Sequence, residues 1–393
     1  MEIEKLNTLL DESGNIVERH YISVREKGED FNLFSILGME TNETKTHSAM
    51  LVSLLDPKGN HYYDEKFLSL FLQEIGYTSF VDSDLKNVKV KAEHHLGKIS
   101  DDFRSGGFID ILITFPSGKA IAIENKIYAE DQPKQMYRYS LFKGNDCALY
   151  YLNLFGEKGK PTKKSLHTLT DKDFEVITYK NHILNWLDAC LSVVKPDSIV
   201  KNAIKQYQIL IRDLTNSMEK DLENNFIALI QNNLEEAKYI HSHYQIAVDG
   251  IREKLRKAVS EKINSLQLNV KARLGNDINH NYSKIWISSD ILDEKGIQIG
   301  IESFSGKGNN KGRLFIGIFD RQKEYESSRD GDYRLSNYWP IVSDIKTPEN
   351  NALNLSSTSI LEKLNNNDEY YFENMVATIV NQTKSFIETY SNI

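Results

Sequence analysis

Two isoleucine-rich runs fill residues 106–128, and charged side chains sit inside them. The first reads Gly106-Gly107-Phe108-Ile109-Asp110-Ile111-Leu112-Ile113-Thr114-Phe115, and the second Ala120-Ile121-Ala122-Ile123-Glu124-Asn125-Lys126-Ile127-Tyr128. Between them lies Pro116-Ser117-Gly118-Lys119. Short β-branched runs bounded by turn residues predict two buried strands joined as a hairpin. A buried strand does not carry Asp, Glu and Lys without a reason, because unpaired buried charge is expensive. Side chains alternate along a strand, so Glu124 and Lys126 share one face and Asn125 takes the other. If the hairpin pairs in register, Asp110 reaches the same patch. Two carboxylates and an ammonium there can hold a hard divalent cation and position a water.

The rest of the chain narrows the setting. Its 393 residues suffice for two domains. A formal net charge of −8 does not favour a general nucleic-acid coat, so phosphate contact has to come from local basic patches. The two cysteines, Cys147 and Cys190, form no CxxC pair, which points away from a disulfide scaffold or zinc site and toward a reducing cytoplasm. No run reads as a signal peptide or a membrane span.

Residues 1–40 read as mostly helical. Asn42 to Leu55 predicts an amphipathic helix with Asn42 as its cap and Glu43 in its first turn. A helix follows over 64–75, then a strand over 88–96 and the hairpin. Asp131 to Phe142 predicts a helix with Pro133 in its first turn. Strands are expected at 148–155 and 174–179, and helices at 181–194 and 197–216. This order gives an α/β fold, a mixed central sheet flanked by helices. From 218 to 272 the pattern is helical. Strands at 284–288, 297–301 and 314–319, and helices at 357–364 and 370–390, then predict a C-terminal α+β domain with an antiparallel sheet. The expected division is 1–216 and 217–393.

At Asp110 and Glu124-Asn125-Lys126 the chain resembles the PD-(D/E)xK nucleases, whose restriction-endonuclease-like fold carries an Asp on one strand and Glu-x-Lys on the next. The segment from Asp131-Gln132-Pro133-Lys134-Gln135 to Tyr139 resembles the Gln-and-Tyr helix that follows this core in many members. Glu43 to His47 with Ser48, then Leu54-Leu55-Asp56-Pro57 and His61, resembles the opening of one bacterial branch. The likeness spans about 40–215, and nothing specific is seen beyond it. No Pro precedes Asp110; Ile109 stands there instead.

The resemblance implies phosphodiester hydrolysis with Mg²⁺, Mn²⁺ being able to substitute. Asp110 and Glu124 would hold the ion by their carboxylates, Asn125 by its backbone carbonyl, and Glu43 as an extra acidic ligand from an upstream helix. Lys126 would orient or help deprotonate the attacking water, and a lysine partly desolvated beside a metal would have a lowered pKa. Gln135 is expected to face the site and hydrogen-bond Lys126 or a phosphate, with Gln132 and Tyr139 as substrate contacts. Plainer readings stand beside these. Glu43 can be a helix-start carboxylate favoured by the dipole, His47 can orient the acidic helix by hydrogen bonding, and the charges can form a structural ion-pair cluster.

Substrate contact is also expected from Lys158, Lys160, Lys163 and Lys164, which crowd a Gly/Pro loop near the proposed edge. Two further basic stretches stand at Arg252–Lys262 and 305–313. Trp286, Trp339 and the Tyr-rich 325–338 stretch read as core and loop residues rather than base-stacking platforms. The expected activity is a metal-dependent nuclease, endonucleolytic, acting on DNA with RNA left open. The resemblance implies defence against foreign DNA. The second domain would recognise substrate, sense a trigger or protein partner, or form a homodimer. The alternative is a catalytically idle nucleic-acid-binding or assembly module that retains the fold.

Overall fold

The computed structural model describes residues 3–78, 84–266, 270–294, 298–308, 310–320, 330–366 and 369–390. Ile297, Asn309 and 325–329, parts of the stretches read above, lie outside the described residues. The chain forms two compact units, residues 2–232 and 233–393. The division falls one helix later than 217, because Lys220–Asn232 packs on the N-terminal helix of the first unit.

In chain order the first unit contains α1 (Ile3–Lys27), α2 (Leu33–Ile36), α3 (Ala49–Leu55) and α4 (Lys66–Glu74). Then come β1 (Lys89–His95), β2 (Phe108–Thr114), β3 (Ala120–Asn125), α5 (Gln135–Ser140) and β4 (Cys147–Asn153). It closes with α6 (Lys163–Leu166), β5 (Glu175–Thr178), α7 (Leu184–Val193), α8 (Ile199–Thr215) and α9 (Lys220–Asn232). Its sheet runs β1-β2-β3-β4-β5. The first three strands are antiparallel, while β3, β4 and β5 are parallel. The sheet is therefore mixed, as the alternation of hairpin and crossover elements predicts.

Strand alternation divides the core into two layers. Ile111, Ile113, Ile121 and Ile123 point to one face, where α3, α4, α7 and α8 cover them with Leu55, Phe71, Trp186 and Tyr207. Leu112, Ala120, Ala122 and Leu149 point to the other, under Met136 and Tyr139 of α5.

Two elements depart from the expected helices. Glu43–Ser48 is a π-helical turn rather than the first turn of an α-helix: the amides of Thr46 and His47 both donate to the Asn42 carbonyl, at 3.1 and 3.2 Å. Asn42 does cap it, its side chain accepting from the Lys45 amide at 2.8 Å. The helix expected over 131–142 starts only at Gln135. Lys134 adopts a left-handed conformation, φ 53°, which breaks the helix and leaves Pro133 ahead of it.

The second unit holds α10 (Leu234–Ser265), β6 (Lys271–Leu274), β7 (Lys284–Ser288), α11 (Asp290–Glu294), β8 (Gln298–Glu302), β9 (Phe315–Phe319), β10 (Ile341–Asp344), α12 (Thr358–Asn365) and α13 (Glu369–Tyr390). Its antiparallel sheet runs β10-β9-β8-β7-β6. The outer strands β6 and β10 were not expected, and β6 begins where a helix was predicted to end. Residues of α10 and α13, including Leu255, Val259, Met375 and Ile379, share a core with the isoleucines of β7 to β9. Arg252 and Arg256 are part of this packing rather than a free basic surface. The Arg252 guanidinium donates to the carbonyls of Leu355 and Ser305, and Arg256 to the Asn276 carbonyl and Ser283 Oγ. No described helix is long and apolar enough to cross a membrane.

Candidate active site

The hairpin register decides which charges meet. Ile111 pairs with Ile123 and Leu112 with Ala122, so the next step along sets Asp110 opposite Glu124. Asp110 Oδ2 accepts the backbone N–H of Asn125 at 2.7 Å, which ties the carboxylate to the end of β3. Glu124 is fully buried, and Lys126 Nζ lies 2.6 Å from Glu124 Oε1. That is an ion-pair distance, off the line of a hydrogen bond. Neither oxygen of Glu124 accepts a hydrogen bond of good geometry.

Burial dominates the electrostatics here. Desolvation lifts the Asp110 carboxyl to about 6, against the pull of the Asn125 amide and Lys126. Desolvation and then repulsion from Asp110 hold Glu124 well above its ordinary value. Burial alone would lower Lys126, but Glu124, Asp110 and Glu43 outweigh it, and its pKa stands above the ordinary value. Without a metal, two carboxylates beside the ammonium favour its charged form, whereas the lowered lysine was expected beside a bound ion.

Asn125 points through the sheet to the opposite layer. Its amide donates to Ser48 Oγ at 3.0 Å and to the Glu43 carbonyl at 3.3 Å, and its Oδ1 accepts from the Tyr179 hydroxyl at 2.8 Å. This side chain fastens the end of β3 to the π-turn, leaving its backbone as the part that can serve the site.

Glu43 does not join Asp110 and Glu124 as a third carboxylate. Its Oε1 accepts the amides of Ile127, Tyr128 and Ala129, at 2.7, 2.9 and 2.9 Å. Among the described residues no three His, Cys, Asp or Glu side chains converge in a metal-ligand arrangement. His47 holds this turn in place. One ring nitrogen bonds Tyr207 OH at 3.0 Å and the other the Glu40 carbonyl at 2.9 Å. Desolvation lowers its pKa to about 4, so the ring is neutral near pH 7. His61 likewise bonds the Asp56 carbonyl and the Tyr63 amide.

Helix α5 borders the site, and among the described residues no hydrogen bond joins it to Lys126. Gln135 is buried, but its Nε2 donates to Tyr139 OH at 3.2 Å and its Oε1 accepts the Gln132 amide at 3.1 Å. The expected Gln135–Lys126 hydrogen bond is absent because both ends of the amide are used within 132–139. The Tyr139 hydroxyl donates to the Phe108 carbonyl, joining α5 to the start of β2. Burial pushes its pKa up, and the Glu124 and Asp110 charges push it further, which places the ring beside both carboxylates. Gln132 Oε1 accepts from Arg138.

The lysine loop is tethered to the same strand ends. Tyr151 pairs with Glu124 across β3 and β4. Its hydroxyl donates to Asp131 Oδ1 at 3.0 Å, and Asp131 Oδ2 accepts the Thr162 amide at 2.6 Å. Lys163 and Lys164, next in line, are exposed. Lys160 pairs with Asp171 at 3.1 Å. The side chain of Lys158 lies outside the described residues.

Two residues that the sequence reading passed over belong to the site. Glu93 on β1 has φ 50°, a left-handed conformation inside a strand that costs about 1–2 kcal/mol. Desolvation raises its pKa, with Thr44 and Lys126 opposing, and its charge in turn raises Asp110. The carboxylate therefore faces the same cluster. Arg138 is buried, donating to the carbonyls of Gly106 and Pro133 and to Gln132 Oε1. Glu93 reads in sequence as a polar residue of a half-exposed strand. The one available signal was its place opposite Asp110 once β1 and β2 are paired.

A divalent cation fits this cluster on its own terms. A fully buried carboxylate paired with one ammonium and repelled by a second carboxylate of raised pKa leaves negative charge that a hard cation would relieve. Neither the curated proteins nor the solved structures searched gave a match to the chain. A family model does match, over residues 31–209, which contain the five-stranded sheet, the π-turn and the whole charged cluster. That model describes the PD-(D/E)XK nuclease superfamily, and residues 31–209 of this chain match it.

Proposed function

We propose that the protein is a divalent-metal-dependent nuclease that cuts DNA internally, with Asp110, Glu124 and Lys126 as its catalytic centre. The superfamily is one of nucleases that generally use divalent metals, so a nucleic-acid substrate and phosphodiester hydrolysis are the starting point. The observation that carries the reading is the fully buried Glu124 carboxylate, opposite Asp110 across the hairpin and 2.6 Å from the Lys126 ammonium.

Asp110 and Glu124 would hold Mg²⁺ or Mn²⁺, with the Asn125 backbone carbonyl as a further oxygen donor. Bound there, the ion supplies charge neutralisation at the phosphate and a polarised water. Lys126 would orient or help deprotonate the attacking water and offset the charge that develops during attack. Glu43 acts at one remove, fixing the turn that follows Lys126. Gln135, Gln132 and Tyr139 shape the wall of the site, and Lys160, Lys163 and Lys164 supply phosphate contacts that set affinity rather than sequence choice. The biological setting proposed is defence against foreign DNA in a prokaryotic cytoplasm, with a homodimer or paired engagement needed for double-strand breaks.

The test is incubation of the full chain with supercoiled plasmid, linear duplex DNA and single-stranded RNA, in Mg²⁺, Mn²⁺ or EDTA. Metal-dependent nicking or linearisation of the plasmid, lost in Lys126→Ala and Asp110→Asn, is the expected result. Cleavage of RNA alone would move the substrate. Tight salt-sensitive binding with no cleavage in any metal would make the protein a binding module.

A further inference from the structure

The second sheet has a chemical centre of its own. Ile285, Ile287, Ile299, Ile301, Ile316 and Ile318 face its helices. The residues between them, Lys284, Trp286, Gly300, Glu302, Gly317 and Phe319, therefore face the other way. Trp286 and Trp339 stack on that face, with ring centroids 6.1 Å apart and planes at 17°. Gly300 and Gly317 pair directly across β8 and β9 beneath them. A Cβ on Gly300 would lie 2.8 Å from Trp339 Cη2, and one on Gly317 3.0 Å from Trp339 Cε3. The two glycines thus let an indole lie flat on the strands, a close approach that any side chain would block.

Beside the indoles sits a buried ion pair. Lys284 is 8% exposed and Glu302 7%, and their charged groups are in contact. Lys284 Nζ is also 4.8 Å from the Trp286 ring centroid and 5.5 Å from that of Trp339. Glu302 Oε2 is the oxygen that meets the Lys284 ammonium. Lys284, Glu302 and Trp339 open on a cavity of about 520 Å³, which Phe319, Tyr338 and Lys307 also line. A buried ion pair is a poor way to stabilise a sheet, since apolar residues of similar volume do as well or better. A cavity next to it forgoes packing besides. Aromatic walls around one buried acceptor and one buried donor are the features of a small-molecule site, and the volume is within the range of roughly 300–1,000 Å³ that such sites span.

We propose that this cavity binds a nucleobase. The flat heterocycle lies among the rings of Trp339, Tyr338 and Phe319 that line the cavity. Its polar edge, which in every base sets an N–H donor next to an acceptor, meets Glu302 as acceptor and Lys284 as donor. Lys307, at the rim with one ammonium hydrogen on the Asn279 carbonyl, is placed for an attached phosphate. The base can come from a free nucleotide or from a nucleic-acid strand. The inference rests on the second unit alone and stands or falls separately from the nuclease reading.

The experiment is a titration of the full chain in EDTA with AMP, GMP, CMP and UMP, and with a short single-stranded oligonucleotide, followed by tryptophan fluorescence. Stacking on Trp339 should give saturable quenching. Glu302→Gln and Tyr338→Ala should weaken it by about tenfold or more. Tyr338 is exposed, so its variant folds even if the buried ion pair proves essential to folding. Quenching by a mononucleotide identifies a free nucleotide as the ligand, and quenching by the oligonucleotide alone identifies a base presented on a strand. No quenching by any of them, or binding that both variants leave unchanged, overturns the proposal.

Discussion

The Glu43 carboxylate meets the backbone amide of Ile127 at 2.7 Å, and the same oxygen accepts the next two amides. The π-turn and the end of β3 are joined there, one residue after Lys126. An acidic residue far upstream in sequence therefore sets where the lysine stands. Glu43→Gln keeps an oxygen for these amides and should retain most stability and activity. Glu43→Ala strands them and should cost about 2 kcal/mol, with activity falling as the Lys126 turn loosens. Urea denaturation and plasmid cleavage of the two variants check this. Equal loss in both would mean that the carboxylate charge itself is required.

Asp110 should weaken the metal-free fold. Its folded pKa of about 6 exceeds the unfolded carboxylate value, so its ionised form opposes folding above pH 6, and the opposition fades as pH falls through 6 toward 4. Allowing for its partial exposure, the cost near neutral pH is about 2 kcal/mol. In EDTA, Asp110→Asn should melt higher than the parent chain at pH 7.5, and the gap should close by pH 4.5. Mg²⁺ should raise the Tm of the parent and leave that of Asp110→Asn nearly unchanged. Thermal melts at the two pH values, with and without Mg²⁺, read both effects.

His47 should act in the opposite sense. It is buried neutral, with a folded pKa of about 4 against an ordinary 6.5. The unfolded chain takes up the proton first, so stability holds above pH 6.5 and is lost as pH falls from 6.5 to 4, by about 3 kcal/mol in all. His47→Gln removes this titration. Its stability, read by urea denaturation between pH 7 and 4.5, should fall less steeply than that of the parent.

How much of this was legible follows from what each signal depends on. The hairpin was readable because Ile-rich runs flanking Pro116-Ser117-Gly118 leave few alternatives, and strand alternation then assigned Glu124 and Asn125 to opposite faces. The π-turn was not, since Glu43 to Ser48 shows the same polar-then-apolar pattern in α- and π-helical form, and only the amides of Thr46 and His47 tell them apart. The late start of α5 turned on the left-handed Lys134, a conformation that no lysine announces. Strand β6 is short and no Pro or Gly separates it from the long helix before it, so it read as more of that helix. Glu93 and Arg138 were missed for a common reason. Both have the composition of surface residues, and burial against a site is a property of the assembled sheet.

Arg138 supports this last point and can be tested. It fastens α5 to the Gly106 carbonyl at the head of β2, four residues before Asp110. Arg138→Ala should cost about 2–3 kcal/mol by leaving buried carbonyls unpaired. Lysine has no planar fork to reach three acceptors, so Arg138→Lys should recover little of it. Urea midpoints of the three proteins give the comparison.

The cation site is the hinge of the functional reading, and Mn²⁺ binding tests it directly. Electron paramagnetic resonance of free Mn²⁺ during titration of the full chain should show saturable uptake. Asp110→Asn and Glu124→Gln should weaken it at least tenfold, whereas Lys126→Ala should keep it while abolishing cleavage. Undiminished Mn²⁺ uptake by the Asp110→Asn, Glu124→Gln double variant would contradict the account.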